Sequence, residues 1–149
     1  MLYTIAIALL LPPHHIFYSL ISENLDIGNN EFEGTLPEEI FSLTKLASVD
    51  FSGTKLRGEI PSDIGFLSQL IHIVAGNTEM SGSLPFELFS LRQLQTLDLS
   101  FGNFTGSLSE SFGSLTNLDT VLLHDNIFTG TIPKGFERLP FLRKFWLAI

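Results

Sequence analysis

Two histidines and two aspartates of this sequence are candidates for metal binding or acid–base catalysis. His72 and His124 could share a metal ion, and Asp50 and Asp98 could form a pair of catalytic carboxylates. A shared ion needs both histidine nitrogens at about 2 Å. Glycosidase carboxyl groups need a separation of about 5–9.5 Å. The elements that position these residues therefore decide whether either site exists.

Other reactive motifs are missing from the sequence. It contains no cysteine, which excludes disulfides, thiolate metal sites and a cysteine nucleophile. It also contains no GxGxxG, P-loop, HExxH or GxSxG motif. Gly130 and Gly135 have the spacing of a P-loop, but Phe136 stands where that motif requires lysine. We therefore expect no enzymatic activity, no cofactor and no metal site.

The composition excludes one class of partner and permits a folded core. Of the 149 residues, 44% are hydrophobic and only 16% are charged, which is enough apolar surface for one domain. The formal net charge is −8. Phosphate backbones repel such a chain, so we expect no nucleic acid partner.

A repeat of 24 residues organises most of the chain, and a fixed period of this length is typical of a solenoid. The blocks follow one another without a gap: 25–48, 49–72, 73–96, 97–120, 121–144 and a partial block 145–149. Each opens with an apolar-x-apolar triplet such as Leu97 and Leu99, which predicts a half-buried strand. Later positions carry a glycine, an apolar residue before a proline, and a Leu-x-x-Leu pair.

The repeat excludes both chemical sites. It places His72 and His124 two strands apart and in different columns of side chains, so about 10 Å or more separates them. Asp50 and Asp98 lie in one column at about 10 Å, with Val74 between them. These separations are too long for shared ligation or for a catalytic pair, so we interpret the four residues as surface positions.

The five blocks resemble the leucine-rich repeat family, and L-x-G-x-[IL]-P resembles its 24-residue plant-type subclass. That subclass includes receptor-like proteins, receptor kinases and polygalacturonase-inhibiting proteins. The resemblance covers residues 25–149 and implies an α/β solenoid, a curved right-handed coil. A parallel sheet would line its concave face, and short strands with 3₁₀ segments would form the other side.

The sequence departs from the family at a turn asparagine, which the resemblance implies bonds the backbone of the next coil. Asn30 and Asn126 retain it, whereas Thr54, Thr78 and Gly102 replace it. Threonine can partly supply the bond. Gly102 cannot, which leaves an unpaired group that costs about 1–3 kcal/mol unless water, Asn77 or Asn103 compensates.

The resemblance places functional residues on the concave strands, beside the buried positions. A central column there runs from acidic residues to Leu122 and Trp146, and tryptophan is enriched at binding hot spots. An alternative is that Trp146 covers the end of the core. The predicted ligand-binding set is Asp50, His72, Val74, Asp98, Leu122, His124 and Trp146.

Two features favour an extracellular or membrane location, with a cytoplasmic one as the alternative. Residues 1–22 are apolar and resemble a secretory signal or an anchor, although a degraded first repeat is the other interpretation. Asn103 opens an N-x-[ST] glycosylation acceptor in a predicted exposed turn.

The sequence therefore predicts a non-catalytic module that binds a protein or a peptide on its concave face, as in a receptor-like protein or an inhibitor. Two alternatives stay open: a structural segment of a longer array, and the repeat portion of a receptor kinase. The open ends of the solenoid also invite self-association.

Overall fold

The computed structural model describes residues 23–148. The two interpretations of residues 1–22, a signal or a degraded repeat, lie outside the described residues. Within the described part, no helix is long and apolar enough to cross a membrane.

Six short parallel strands form the main sheet, and each begins one residue before an apolar-x-apolar triplet and ends at the middle residue of that triplet. The strands are β1 (Asn24–Asp26), β3 (Ser48–Asp50), β5 (His72–Val74), β7 (Thr96–Asp98), β9 (Thr120–Leu122) and β11 (Lys144–Trp146). Each pairs with the next at an offset of one block, so Val49 lies beside Ile73. We call this sheet the concave sheet, after the face that the resemblance assigns to it, and we number the coils 1 to 6 from β1.

A second sheet runs along the opposite side of the first five coils. It contains β2 (Glu33–Gly34), β4 (Lys55–Gly58), β6 (Glu79–Gly82), β8 (Asn103–Ser107) and β10 (Ile127–Thr129). The repeat glycine lies in or directly after each strand, and its φ in the five coils lies between 81° and 99°. Only glycine adopts this backbone without a steric penalty, which explains why the position recurs.

A 3₁₀ segment closes each of these five coils directly after the apolar–proline pair. The segments are Glu38–Ser42, Ser62–Phe66, Phe86–Ser90, Glu110–Ser114 and Lys134–Arg138. Proline precedes four of them, because its fixed φ suits the start of a helical turn. In the fourth coil Ser109 stands there instead, and its Oγ accepts the main-chain N–H of Ser111 at 3.1 Å. The chain thus substitutes a side-chain cap for the missing proline.

Columns of apolar side chains stack through the interior to form one core. Leu46, Leu70, Leu94 and Leu118 occupy the same repeat position and are fully buried. Their counterpart in the fifth block, Leu142, is only partly buried. Ile132, the apolar residue before Pro133, is 54% exposed, whereas its counterparts Leu36 and Ile60 are buried. Coil 6 is described only as far as residue 148, so no described residues lie at the positions that would cover Ile132 and Leu142.

The resemblance implies that Asn126, the turn asparagine of coil 5, bonds the next coil, but Asn126 bonds its own coil and the preceding one. Its Nδ2 donates to the carbonyl of Leu99 at 2.7 Å and to that of Leu123 at 3.2 Å, and its Oδ1 accepts the N–H of Phe104 at 3.0 Å. Asn126 therefore reaches back and bonds the coil that carries Gly102. The prediction of an unsatisfied group at Gly102 is wrong.

The other turn residues bond only their own coils. Asn30 Nδ2 donates to the carbonyl of Ile27, and the hydroxyls of Thr54 and Thr78 donate to carbonyls three residues earlier. Within the described residues, the side chains of Asn77 and Asn103 form no hydrogen bond in this role, so the predicted compensation by either residue is wrong.

We expect Asn126→Ala to lower the free energy of unfolding by about 1–3 kcal/mol, because it leaves part-buried backbone groups of two coils unpaired. Urea unfolding followed by circular dichroism measures the loss. Asn30→Ala is the matched control, since Asn30 is exposed and bonds only its own coil. Equal losses in the two variants would contradict the role assigned to Asn126.

Candidate ligand-binding surface

The concave sheet places the predicted residues in columns. Register pairs set Asp50 beside Val74, Val74 beside Asp98, Asp98 beside Leu122, and Leu122 beside Trp146. Asp50, Val74, Asp98 and Leu122 are half-buried, while Trp146 is 56% exposed. The column therefore forms one continuous strip that changes from acidic to apolar along the solenoid.

Two aspartates of this column are held by hydrogen bonds from the serine two residues later in the chain. Oδ1 of Asp50 accepts the N–H and the hydroxyl of Ser52 at 2.9 and 2.6 Å. Asp98 makes the same pair of bonds with Ser100, at 3.0 and 2.6 Å. Within the described residues, Oδ2 of neither carboxylate accepts a hydrogen bond. Among the described residues, no group of three histidine, aspartate or glutamate side chains is placed to hold a metal ion.

The two histidines differ in environment. His72 begins β5 and is exposed, whereas His124 is only 6% exposed. The ring of Trp146 stacks on His124 with centroids 4.1 Å apart and planes at 19°. His124 is therefore covered by Trp146, and its place in the ligand-binding set stays a prediction.

One residue at this surface was not predicted. Phe101 is 56% exposed, and its ring meets the edge of His124 with centroids 5.0 Å apart. Its φ is 53°, a left-handed conformation that costs a bulky residue about 1–3 kcal/mol. The equivalent turn positions are Asn29, Gly53, Asn77 and Asp125, all residue types that tolerate this backbone. This contrast within the repeat is the sequence signal that could have identified Phe101.

We call Phe101, His124 and Trp146 the aromatic cluster. Its members come from three successive coils, 4, 5 and 6, so the stacking of coils creates it. Nδ1 of His124 is buried and has no hydrogen-bond partner among the described residues. Nε2 lies 3.9 Å from Oδ2 of Asp125, beyond hydrogen-bond distance.

A sequence profile described as Leucine Rich Repeat matches residues 23–43 and 93–115. The solved structures similar to this chain include the leucine-rich repeat ectodomain of the membrane receptor kinase GASSHO1/SCHENGEN3 from Arabidopsis thaliana, in complex with CASPARIAN STRIP INTEGRITY FACTOR 2. It is 34% identical with a TM-score of 0.80, and the match covers 85% of this chain and 15% of that one. This chain belongs to the plant-type leucine-rich repeat family.

Two further plant structures are similar to this leucine-rich repeat chain. The peptide hormone receptor RGFR1, in complex with RGF2, is 30% identical with a TM-score of 0.82, covering 84% of this chain and 20% of that one. A plant ice-binding protein is 28% identical with a TM-score of 0.77, and the match covers 84% of this chain and 40% of that one. This chain thus spans less than half the length of each structure. A search of curated protein sequences finds no significant match.

The comparisons confirm the predicted family and solenoid, and they also limit what the fold implies. Two of these similar structures are receptors in complex with a partner, and the third is an ice-binding protein. The same coils therefore serve different ligands, and the ligand must be argued from the exposed side chains.

Replacing His124 with alanine should uncover the inner face of Trp146, the single tryptophan of the chain. We expect its fluorescence emission to shift to longer wavelength, because more of the indole meets water. His72→Ala is the control, since His72 is exposed on the same sheet and no ring stacks on it in the described structure. An unchanged emission spectrum in His124→Ala would mean that the two rings do not stack in solution.

Proposed function

We propose that this chain is a non-catalytic recognition module that binds an extended peptide, or an extended segment of a protein, along its concave sheet. The observation that carries the proposal is the pairing of Leu122 with Trp146 on adjacent strands. Trp146 is more than half exposed and Leu122 is half-buried, so together they offer the two adjacent apolar residues of a strip whose other members are aspartates and Val74. Burial of such area on a partner is favourable and defines binding hot spots.

The dimensions of the sheet suit a short peptide. Six strands about 4.8 Å apart place Asp26 about 24 Å from Trp146, a distance that about seven extended residues span. The strip is acidic at coils 1, 2 and 4 and apolar at coils 5 and 6. A peptide would therefore bind in one direction, with a basic portion over the aspartates and an apolar portion over Leu122 and Trp146.

The mechanism is complementarity on a rigid scaffold. The exposed columns lie on a paired sheet in which β3 to β9 have partners on both sides and β11, which carries Trp146, pairs with β9, so the sheet loses little conformational entropy on binding. No step of bond making or breaking is involved. The partners named with GASSHO1/SCHENGEN3 and RGFR1 support this class of ligand.

The proposed location is outside the cell. Two of the three similar structures are receptors of plants, and one of them is named as the ectodomain of a membrane receptor kinase. Asn103 and Thr105 of the glycosylation acceptor are exposed, while Phe104 between them is buried. Asn103 opens strand β8 of the second sheet instead of lying in the predicted turn. A glycan there would leave the concave sheet free.

A second candidate is a segment of a longer array, in a receptor kinase or a spacer. The partly buried Leu142, Phe145 and Leu147 favour it, because their counterparts one repeat earlier are fully buried: Leu118, Val121 and Leu123. The same end could instead pair with another copy of the chain. This candidate and concave-face binding are compatible, since a fragment would contribute its strip to a longer one.

We expect the double variant Leu122→Ala/Trp146→Ala to lose peptide capture. Immobilised wild-type protein would select binders from a phage library of random linear peptides, and the affinity of each selected peptide would then be measured by calorimetry. Loss of two hot-spot side chains should weaken binding by about a hundredfold or more.

The matched control is Phe66→Ala/Ile127→Ala, which removes one exposed aromatic and one exposed aliphatic side chain from outside the concave sheet. It should bind the same peptides as the wild type. The proposal is wrong if the wild type selects no peptide, or if both double variants bind equally well.

Expression in plant cells tests the location. We expect the secreted protein to carry one glycan on Asn103, so that treatment with a peptide N-glycosidase lowers its mass. Asn103→Gln should be secreted at the unglycosylated mass, and its exposed position predicts no change in fold. An unglycosylated wild-type protein retained in the cytoplasm would overturn the extracellular proposal.

A further inference from the structure

The aromatic cluster combines two features that folding alone does not explain. Phe101 places an exposed phenyl ring at a left-handed position where other coils use asparagine, glycine or aspartate. His124, directly beside it, is buried with Nδ1 unpartnered in the described structure. Strain and unsatisfied polar atoms concentrate at functional sites, because a ligand can compensate for them.

An unpaired negative charge adjoins the same rings. Asp125 follows His124 and is more than half exposed. Within residues 23–148, no lysine or arginine forms an ion pair with Asp125 or with Asp98. The ion pairs of this region involve other groups, such as Arg143 with Asp119. A carboxylate beside exposed aromatic faces attracts a cation more than an anion or a neutral group.

The geometry points to an arginine side chain of the bound peptide as the occupant of the aromatic cluster. A guanidinium group is planar and stacks on the exposed ring of Phe101, beside the apolar area of Leu122 and Trp146. Its N–H groups supply donors to the carboxylate of Asp125, which occupies the equivalent turn position of the next coil. A lysine would supply the charge without the planar stacking, and a leucine would supply neither.

This inference rests on the proposed peptide binding and adds the residue that the peptide must carry. It also assigns a role to Phe101 as a specificity-determining residue. The chain keeps a strained phenyl ring at a position where asparagine would fit, and arginine stacking accounts for that choice.

The test replaces Phe101 with asparagine, the residue at the equivalent turn of coils 1 and 3. Peptides selected on the wild-type protein should be enriched in arginine at one position. Phe101→Asn should bind them about tenfold or more weakly, as expected for loss of a stacked cation. Its melting temperature should equal or exceed that of the wild type, because asparagine tolerates the left-handed backbone.

Changes in the peptide provide a second measurement. Replacing the selected arginine with citrulline keeps a planar group but removes the charge, and should weaken binding by about tenfold or more. Phe66→Ser is the matched protein control, because Phe66 is equally exposed and the same repeat position is serine in coils 1, 3 and 4. It should bind every selected peptide as the wild type does.

The outcomes separate this inference from the proposed function. Peptides that need Leu122 and Trp146 but show no arginine enrichment, or that bind Phe101→Asn as well as the wild type, overturn the arginine site and leave peptide binding intact. A lower melting temperature for Phe101→Asn with unchanged binding would show that Phe101 is structural. Failure to select any peptide would overturn both proposals.

Discussion

Each coil of this protein is held by the main-chain hydrogen bonds and apolar contacts that it shares with its neighbours. The N–H of Ile71 donates to the carbonyl of Ala47, that of Gln95 to Ile71, and that of Asp119 to Gln95, at 2.7 to 2.9 Å. One coil has too little apolar surface to offset the entropy of ordering its own backbone. Repetition is therefore a requirement for folding, and the constant offset of 24 residues between coils positions every other feature.

The constant offset between coils also brings aromatic side chains of different coils into contact. Phe89, Phe112, Phe136 and Phe145 come from different coils, and their ring centroids are 4.6 to 5.0 Å apart from one to the next. Their contacts join the last four coils through the core. Outside the core, the same register brings Phe101, His124 and Trp146 together. Stacking of coils thus joins aromatic rings inside the core and assembles an exposed cluster outside it.

The period predicted the strands, the glycine turns and the side-chain columns, because these depend on residue types that recur in each block. It failed where a single residue acts across coils. Asn126 satisfies the coil of Gly102 from the following coil, which no property of one block reveals. His124 was placed on the open surface, but the ring of its neighbour covers it. Phe101 was not predicted because it lies in a turn, outside the apolar positions that define the repeat.

The buried columns of this chain are nearly constant from coil to coil, whereas the central concave column changes at almost every strand. Fold stability depends on the constant columns, so it leaves the residues of the variable column free to differ. The receptors and the ice-binding protein that share this fold differ in ligand, which places specificity in the exposed residues. Phe101 is informative for the same reason: its backbone would be better served by asparagine, so its side chain requires an explanation outside the solenoid.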